Sequence, residues 1–182
     1  MSKTQDNLQE AFAGESQANR KYLAFAKQAD KEGYPQIAKL FRAAAAAETV
    51  HAHAHLRAMG GIGTTQENLK EAVFGETYEF ESMYPGMIED AKAEGNKKAE
   101  RTFSYANEVE KVHAELYEKA LADIAGMDAV VAYWICPLCG YTAENEAPDK
   151  CPVCGAKREE FTTFAQSVGP FPPERPRHRP LV

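Results

Sequence analysis

The chain has 182 residues, 44% hydrophobic and 26% charged, with a formal net charge of -6. That length holds one full domain and a small second one, and the acidic balance argues against a general nucleic-acid binder, which needs basic patches. No run approaches the ~20 apolar residues of a membrane span, and the polar N-terminus MSKTQDNLQE lacks the apolar core of a signal peptide, which points to the cytoplasm and away from membranes.

Residues from about 4 to 126 read as helix with short breaks. Ala is frequent, including the run Ala43 to Ala47, and strand-like alternation is absent. Gly33-Tyr34-Pro35 ends a first helix and opens a second, with Pro35 tolerated in the first turn. Gly60-Gly61-Ile62-Gly63-Thr64 ends the second, Gly95-Asn96 separates the third from the fourth, and Gly126 closes the fourth. Each helix is then roughly 25 to 30 residues, about 40 Å long. Pro85-Gly86 falls inside the third, where a kink is expected. Long helices joined by short links favour an up-down four-helix bundle.

The two halves of this stretch repeat each other. Phe12-Ala13-Gly14-Glu15 echoes Val73-Phe74-Gly75-Glu76 at an offset of 61. After one added residue the offset becomes 62, and Tyr22 matches Tyr84, Gly33 matches Gly95, Phe41 matches Phe103, and Glu48/His51 match Glu110/His113. Breakers, aromatics and acids keep one register, as a duplicated helix pair would.

Each half therefore carries one lone Glu and one Glu-x-x-His: Glu15 with Glu48 and His51, Glu76 with Glu110 and His113. This is the ligand pattern of a carboxylate-bridged two-metal site within a four-helix bundle. The spacing of three puts each Glu and its His on one helix face. Steps of three and four define the core seam of each helix. The first seam runs through Leu8, Phe12, Glu15, Asn19, Tyr22 and Ala26, and the second through Ile37, Phe41, Ala44, Glu48, His51, His55 and Ala58. The third has Leu69, Ala72, Glu76, Glu79 and Met83, and the fourth has Ala99, Phe103, Ala106, Glu110, His113, Tyr117, Ala120 and Ile124. The acids thus stand where apolar residues belong. One glutamate on a helix is ordinarily solvated, but the same departure in four helices calls for a common cause. Unpaired buried carboxylates cost several kcal/mol each, and divalent metals remove that cost. Mixed carboxylate and imidazole ligation suits iron or manganese better than structural zinc.

Glu79 is a fifth acid on the third seam and makes the two sets unequal, so that one metal could change ligand as its charge changes. Tyr22 and Tyr84 are candidate donors to ligating carboxylates, or else core aromatics with a satisfied hydroxyl. His53 points off the seam into solvent, His55 reads as a core or bundle-end histidine, and His178 carries no signal.

After Gly126 the character changes. Cys136-Pro-Leu-Cys139-Gly and Cys151-Pro-Val-Cys154-Gly form two CxxC pairs with eleven residues between them, a tetrahedral four-sulfur signal. The Gly after each pair permits the tight turn that aims backbone N–H groups at sulfur. In a reducing compartment such a cluster binds metal rather than forming disulfides. Spacing alone does not choose between iron and zinc, and fusion to a redox-capable bundle favours a one-electron iron centre. The last 13 residues, PFPPERPRHRPLV, hold five Pro and three Arg and read as an extended, solvated tail.

Taken together, GESQANRKY, AETVH, FGETYEFESMYP, EVEKVH, WICPLCGY and CPVCGAKREEF resemble the rubrerythrin family across residues 4 to 165. The resemblance implies an all-α ferritin-like four-helix bundle at 1–128, a small rubredoxin-like metal-bound β domain at 129–166, and a tail at 167–182 to which nothing carries over. It implies a di-iron centre on Glu15, Glu48, His51, Glu76, Glu79, Glu110 and His113, with Glu79 and His51 exchanging at one iron. It also implies one iron on Cys136, Cys139, Cys151 and Cys154, where zinc can substitute. The activity implied is reduction of hydrogen peroxide to water. No glycine-rich nucleotide fingerprint is present, so electrons from a reduced pyridine nucleotide would arrive through a separate reductase or rubredoxin. The two iron sites are expected to lie too far apart within one chain, which implies transfer across a homodimer or higher homo-oligomer, with exchanged helices as one way to build it. The rival readings are a ferroxidase or iron-storage protein on the same acids, and a non-enzymatic module with zinc at the cysteines.

Overall fold

The computed structural model describes residues 2–125 and 131–164. The described chain falls into two compact units divided between Thr64 and Thr65. The first unit is a helical hairpin, α1 (Lys3–Lys31) and α2 (Pro35–Ala58). The second holds α3 (Thr65–Tyr78), a π-helical turn (Glu79–Met83), α4 (Tyr84–Ala93), α5 (Lys97–Ala122) and the strands β1 (Tyr133–Ile135), β2 (Thr142–Glu144) and β3 (Thr162–Phe164). Gly126, the boundary expected between 128 and 129, the tail and His178 lie outside the described residues.

The helix ends follow their local chemistry. Ser2 caps α1 by accepting from the Gln5 amide at 3.2 Å, and Asn96 caps α5 by accepting from Ala99 at 3.1 Å. Pro35 sits in the first turn of α2, where its missing N–H is no loss. Gly33 and Gly95 take left-handed φ angles of 82° and 68°. In both places the next amide reaches back to close the helix, Tyr34 N to Ala29 O at 2.8 Å and Asn96 N to Ala91 O at 2.9 Å. The duplicated glycines therefore do the same work in each half.

The π-helical turn is where the repeat gains its extra residue. Tyr22 stands seven positions after Glu15, but Tyr84 stands eight after Glu76. A π turn absorbs one residue within an otherwise continuous helix, so Tyr84 returns to the face its counterpart occupies. The break expected at Pro85 takes this form. Pro85 enters at the first turn of α4, directly after the π turn, so the wider turn stands where a straight α-helix would meet the proline ring.

Packing between α1 and α2 is built on small side chains. Ala26, Ala29, Ala38, Ala45 and Ala52 are buried, as is Asn19. Asn19 Nδ2 donates to Ala45 O at 2.7 Å and to Thr49 Oγ1 at 2.9 Å, a polar clamp across the hairpin. On α1 the seam expected from the sequence is the inward face. On α2 the deepest stripe is Ala38–Ala45–Ala52, one residue along from the expected seam, because alanine lets the two backbones approach most closely there. Ile37, at the head of the expected seam, is 48% exposed.

The cysteine-rich domain is a three-stranded antiparallel sheet in the order β2-β1-β3. Its core is minimal: Cys136, Ala147, Cys151, Ala156 and Phe161, with Trp134, Tyr141 and Val153 packed against it. Two of these five buried residues are thiols, so apolar burial alone does not hold so small a domain. The single tryptophan of the chain, Trp134, donates to Asn145 O at 3.0 Å within it. Stripping metal with a strong chelator should therefore red-shift Trp134 fluorescence as the domain opens, while the far-ultraviolet helical signal stays largely intact. Unshifted fluorescence after complete metal removal would contradict this account.

Candidate metal centres

In the first unit Glu15, Glu48 and His51 offer ligand atoms that all lie within 4.8 Å of one another. His51 Nδ1 is 2.9 Å from Glu48 Oε2 and 3.5 Å from Glu15 Oε1. The same arrangement recurs in the second unit with Glu76, Glu110 and His113. There His113 Nδ1 is 2.7 Å from Glu110 Oε2 and 3.9 Å from Glu76 Oε2. The helical step of three sets each Glu–His contact, and the partner helix brings the lone Glu. The acids are half-buried rather than sealed in a core, with side-chain exposures of 29% for Glu15 and 16% for Glu110.

Crowding leaves an electrostatic mark on the second triad. The Glu76 carboxyl is pushed up to about 7, first by burial and then by the charge of Glu110, with Glu79 adding and His113 opposing. His113 is held above its ordinary value chiefly by its hydrogen bond to Glu110, against the effect of burial. Glu79 is also raised, by burial and by Glu110. It stands in the field of the triad, at the start of the π turn, but is not one of the residues gathered within ligand distance among those described.

The two expected tyrosines differ. Tyr84 is raised by burial and by the charges of Glu79, Glu110 and Glu76, so it lies in the field of the acids. Tyr22 packs on Phe25 and Phe41, with ring centroids 6.3 and 6.2 Å away. His53 is exposed and His55 half-buried, as the helical register predicts. Tyr117 is a further phenol at the second triad, raised by burial and by Glu76 and Glu110. It stood on the expected seam, but one turn beyond His113 it carried no ligand signal of its own. A cleft of about 470 Å³ reaches the triad, lined by Glu76, His113, Tyr117 and Thr142 with apolar Leu69 and Leu116.

The four cysteine sulfurs also lie within 4.8 Å of one another. Cys136 Sγ is 3.5 Å from Cys154 Sγ, and Cys139 Sγ is 3.5 Å from Cys151 Sγ, with no disulfide among them. Two matching knuckles build this cage. Gly140 N donates to Cys136 O and Gly155 N to Cys151 O, both at 2.9 Å, and both glycines have positive φ. The turns aim amides at sulfur as expected. Burial raises Cys139 despite the Tyr141 amide, while burial of Cys151 is outweighed by the amides of Cys154 and Val153, which lower it. Four convergent thiols with N–H donors around them fit a single tetrahedral metal ion. The carboxylate and imidazole groups of each triad fit a harder divalent ion such as ferrous iron.

The sequence did not reveal how the cysteine domain sits. Its β2 edge lies on α5 of the same chain. Thr142 Oγ1 is 3.0 Å from His113 Nε2, and Lys119 Nζ pairs with the Glu144 carboxylate. Two positions on one face of a strand thus meet two positions on one helix. The cysteine domain thus touches the Glu76–Glu110–His113 triad of its own chain at His113.

Comparison with known proteins agrees with this geometry. A family model described as rubrerythrin matches residues 6–121, and one for the rubrerythrin rubredoxin-like domain matches residues 134–162. Rubrerythrin-2 of Clostridium acetobutylicum is 38% identical, covering 88% of this chain and 96% of that protein. Nigerythrin of Nitratidesulfovibrio vulgaris is 39% identical, covering 88% and 86%. A solved structure of nigerythrin in a fully reduced, all-ferrous state aligns with a TM-score of 0.55, covering 90% of this chain and 88% of that one. The expected fold class, a ferritin-like helical part followed by a small rubredoxin-like β domain, is the observed one. With both family models matched in order and relatives aligned over most of its length, the chain belongs to the rubrerythrin family.

Proposed function

We propose that this protein is a non-haem di-iron peroxidase that reduces hydrogen peroxide to water and so protects against oxidative stress. The observation that carries the reading is the pairing of two acid–histidine triads with a four-thiol cage in one chain, the cage domain lying against His113. Glu15, Glu48, His51, Glu76, Glu79, Glu110 and His113 would hold the iron pair, with Glu79 and His51 as the side chains that exchange when its charge changes. Cys136, Cys139, Cys151 and Cys154 would hold the third iron. Bound as a ferrous pair, the iron supplies the two electrons that cleavage of the O–O bond takes, in the balance H2O2 + 2 e⁻ + 2 H⁺ → 2 H2O.

The protein's own groups supply the rest. In the metal-free protein the Glu76 carboxyl is raised to about 7, so it gives up its proton when metal binds. The Tyr84 phenol, kept protonated by burial and by the surrounding acids, can donate a hydrogen bond to a carboxylate as it shifts position. The cleft at Glu76 and His113 is wide enough for peroxide, with an apolar wall at Leu69 and Leu116. Electrons would enter one at a time through the cysteine site from a separate reductase or rubredoxin, with the protein working as a homodimer or higher homo-oligomer, possible helix exchange included. A role in iron storage would use the same acids but leaves the seating of the cysteine domain on α5 unexplained.

Cys139→Ser is expected to leave one peroxide turnover by pre-reduced protein and to stop steady-state turnover. Unchanged steady-state peroxidase activity would remove the relay from the account. A second expectation concerns pH. Glu76 and Glu79 have folded values above the ordinary carboxylate range, and His113 lies above the ordinary imidazole range. A group raised on folding stabilises the fold below its unfolded value and loses that contribution as pH rises through the folded one. The metal-free protein should therefore lose stability to urea between about pH 4.5 and 7 as Glu76 ionises, and bound metal should suppress the loss. Metal affinity should rise over the same range as protons leave the ligands. Metal-free stability that climbs with pH through 7 would contradict the assignment of these groups.

A further inference from the structure

The contact between the cysteine domain and α5 has a directed hydrogen-bond order. The Thr142 hydroxyl donates to Gly140 O at 3.1 Å. With its proton directed there, the hydroxyl oxygen is placed to accept from His113 Nε2, 3.0 Å away. The Gly140 carbonyl lies near the same ring and helps hold His113 above its ordinary value. In this arrangement His113 Nε2 keeps its hydrogen, and Nδ1 is the nitrogen left to face Glu110 at 2.7 Å and Glu76 at 3.9 Å. The seat beneath this bond is close. Gly140 has a φ of 88°, and a Cβ at that position would lie 3.7 Å from Cγ1 of Val109, which is 2% exposed. The chain from cage to triad is short: the Tyr141 amide donates to Cys139, and Thr142 is the next residue.

We propose that Thr142 is a positioning residue for the metal centre: its hydroxyl fixes the His113 ring with Nδ1 toward Glu76 and Glu110, so that docking of the cysteine domain and readiness of this triad for metal become one property. The inference rests on the reading of Glu76, Glu110 and His113 as metal ligands. It goes beyond that reading, because Thr142 belongs to the other domain and touches no metal. An imidazole ligand commonly has its second nitrogen oriented by a carboxylate, carbonyl or water, and loss of such a partner typically weakens binding 10–100-fold. Here the Thr142 hydroxyl does that work. The His51 side chain is 54% exposed, against 28% for His113, so the more enclosed of the two histidines carries this restraint.

The test uses the full chain with zinc in the cysteine cage and Zn²⁺ titrated into the carboxylate sites, comparing wild type, Thr142→Val and Thr142→Ser. Thr142→Val keeps the shape and removes the hydroxyl, and Thr142→Ser keeps the hydroxyl. Thr142→Val should weaken Zn²⁺ binding at the Glu76–Glu110–His113 triad by at least about tenfold. Histidine-nitrogen NMR of the loaded protein should show His113 bound through Nδ1 in wild type and no longer fixed in Thr142→Val. Thr142→Ser should restore both. Cobalt substituted in the cage reports whether that domain is folded in each variant. Equal affinity and an unchanged ring in Thr142→Val would overturn the proposal, as would failure of Thr142→Ser to rescue, which would assign the contact to packing of the methyl group. Failure of the peroxidase reading would appear in wild-type turnover and leave these readouts intact, whereas absence of wild-type zinc binding at the triad would overturn both ligand assignment and proposal.

Discussion

The structure depends on one electrostatic constraint: half-buried carboxylates crowded together, most severely at the second triad. Glu76 pushed up to about 7 by burial and by Glu110 is the measure of it. A protein can relieve such crowding with protons or with a divalent cation. Protons suffice below neutrality, and a cation takes over as the ligands lose them. The imidazoles at Glu48 and Glu110 lie within 2.9 and 2.7 Å of their acids, which adds nitrogen donors where the cation belongs. Much else in the helices serves this arrangement. Alanines on α1 and α2 allow close backbone approach, and the clamp from Asn19 to Ala45 and Thr49 locks the hairpin beside Glu15 and Glu48.

The duplicated helix pair explains why the triads are alike, and the π turn explains why they are not identical. One added residue after Glu76 is taken up at Glu79–Met83, which returns Tyr84 to register and places a fifth acid beside the second triad. The asymmetry is continued by the cysteine domain. Its β2 edge lies on the helix that carries Glu110 and His113, with Thr142 on the histidine and Glu144 on Lys119. The second triad is thus more enclosed, more strongly perturbed and in contact with the cysteine domain through Thr142.

Much of this was legible in the sequence, for physical reasons. Glu48–His51 and Glu110–His113 follow from helical periodicity alone, so a spacing of three could be read as a shared face. The cysteine cage was legible because two CxxC-Gly knuckles have few other structural uses. Gly33 and Gly95 were readable as helix stops because left-handed closure favours glycine. What escaped the reading depends on contacts between elements. The buried stripe on α2 lies at Ala38, Ala45 and Ala52 rather than on the acid seam, because the partner helix selects the smallest side chains and periodicity only narrows the choice. The kink at Pro85 could be foreseen, but its resolution as a π turn depended on reading the added residue and the proline together. Thr142 gave no signal, since a threonine on a short strand gains meaning only from the histidine it meets.

The central claim is that the acid–histidine groups hold a redox-active iron pair tuned to peroxide. The most direct measurement is anaerobic stopped-flow oxidation of the fully reduced, iron-loaded protein by hydrogen peroxide and, separately, by dioxygen. The account predicts that one peroxide oxidises each iron pair, faster than dioxygen does, with the red colour of the ferric cysteine site returning as its electron follows. Oxidation by dioxygen that outruns peroxide, or a cysteine site that stays reduced while peroxide is consumed, would contradict it.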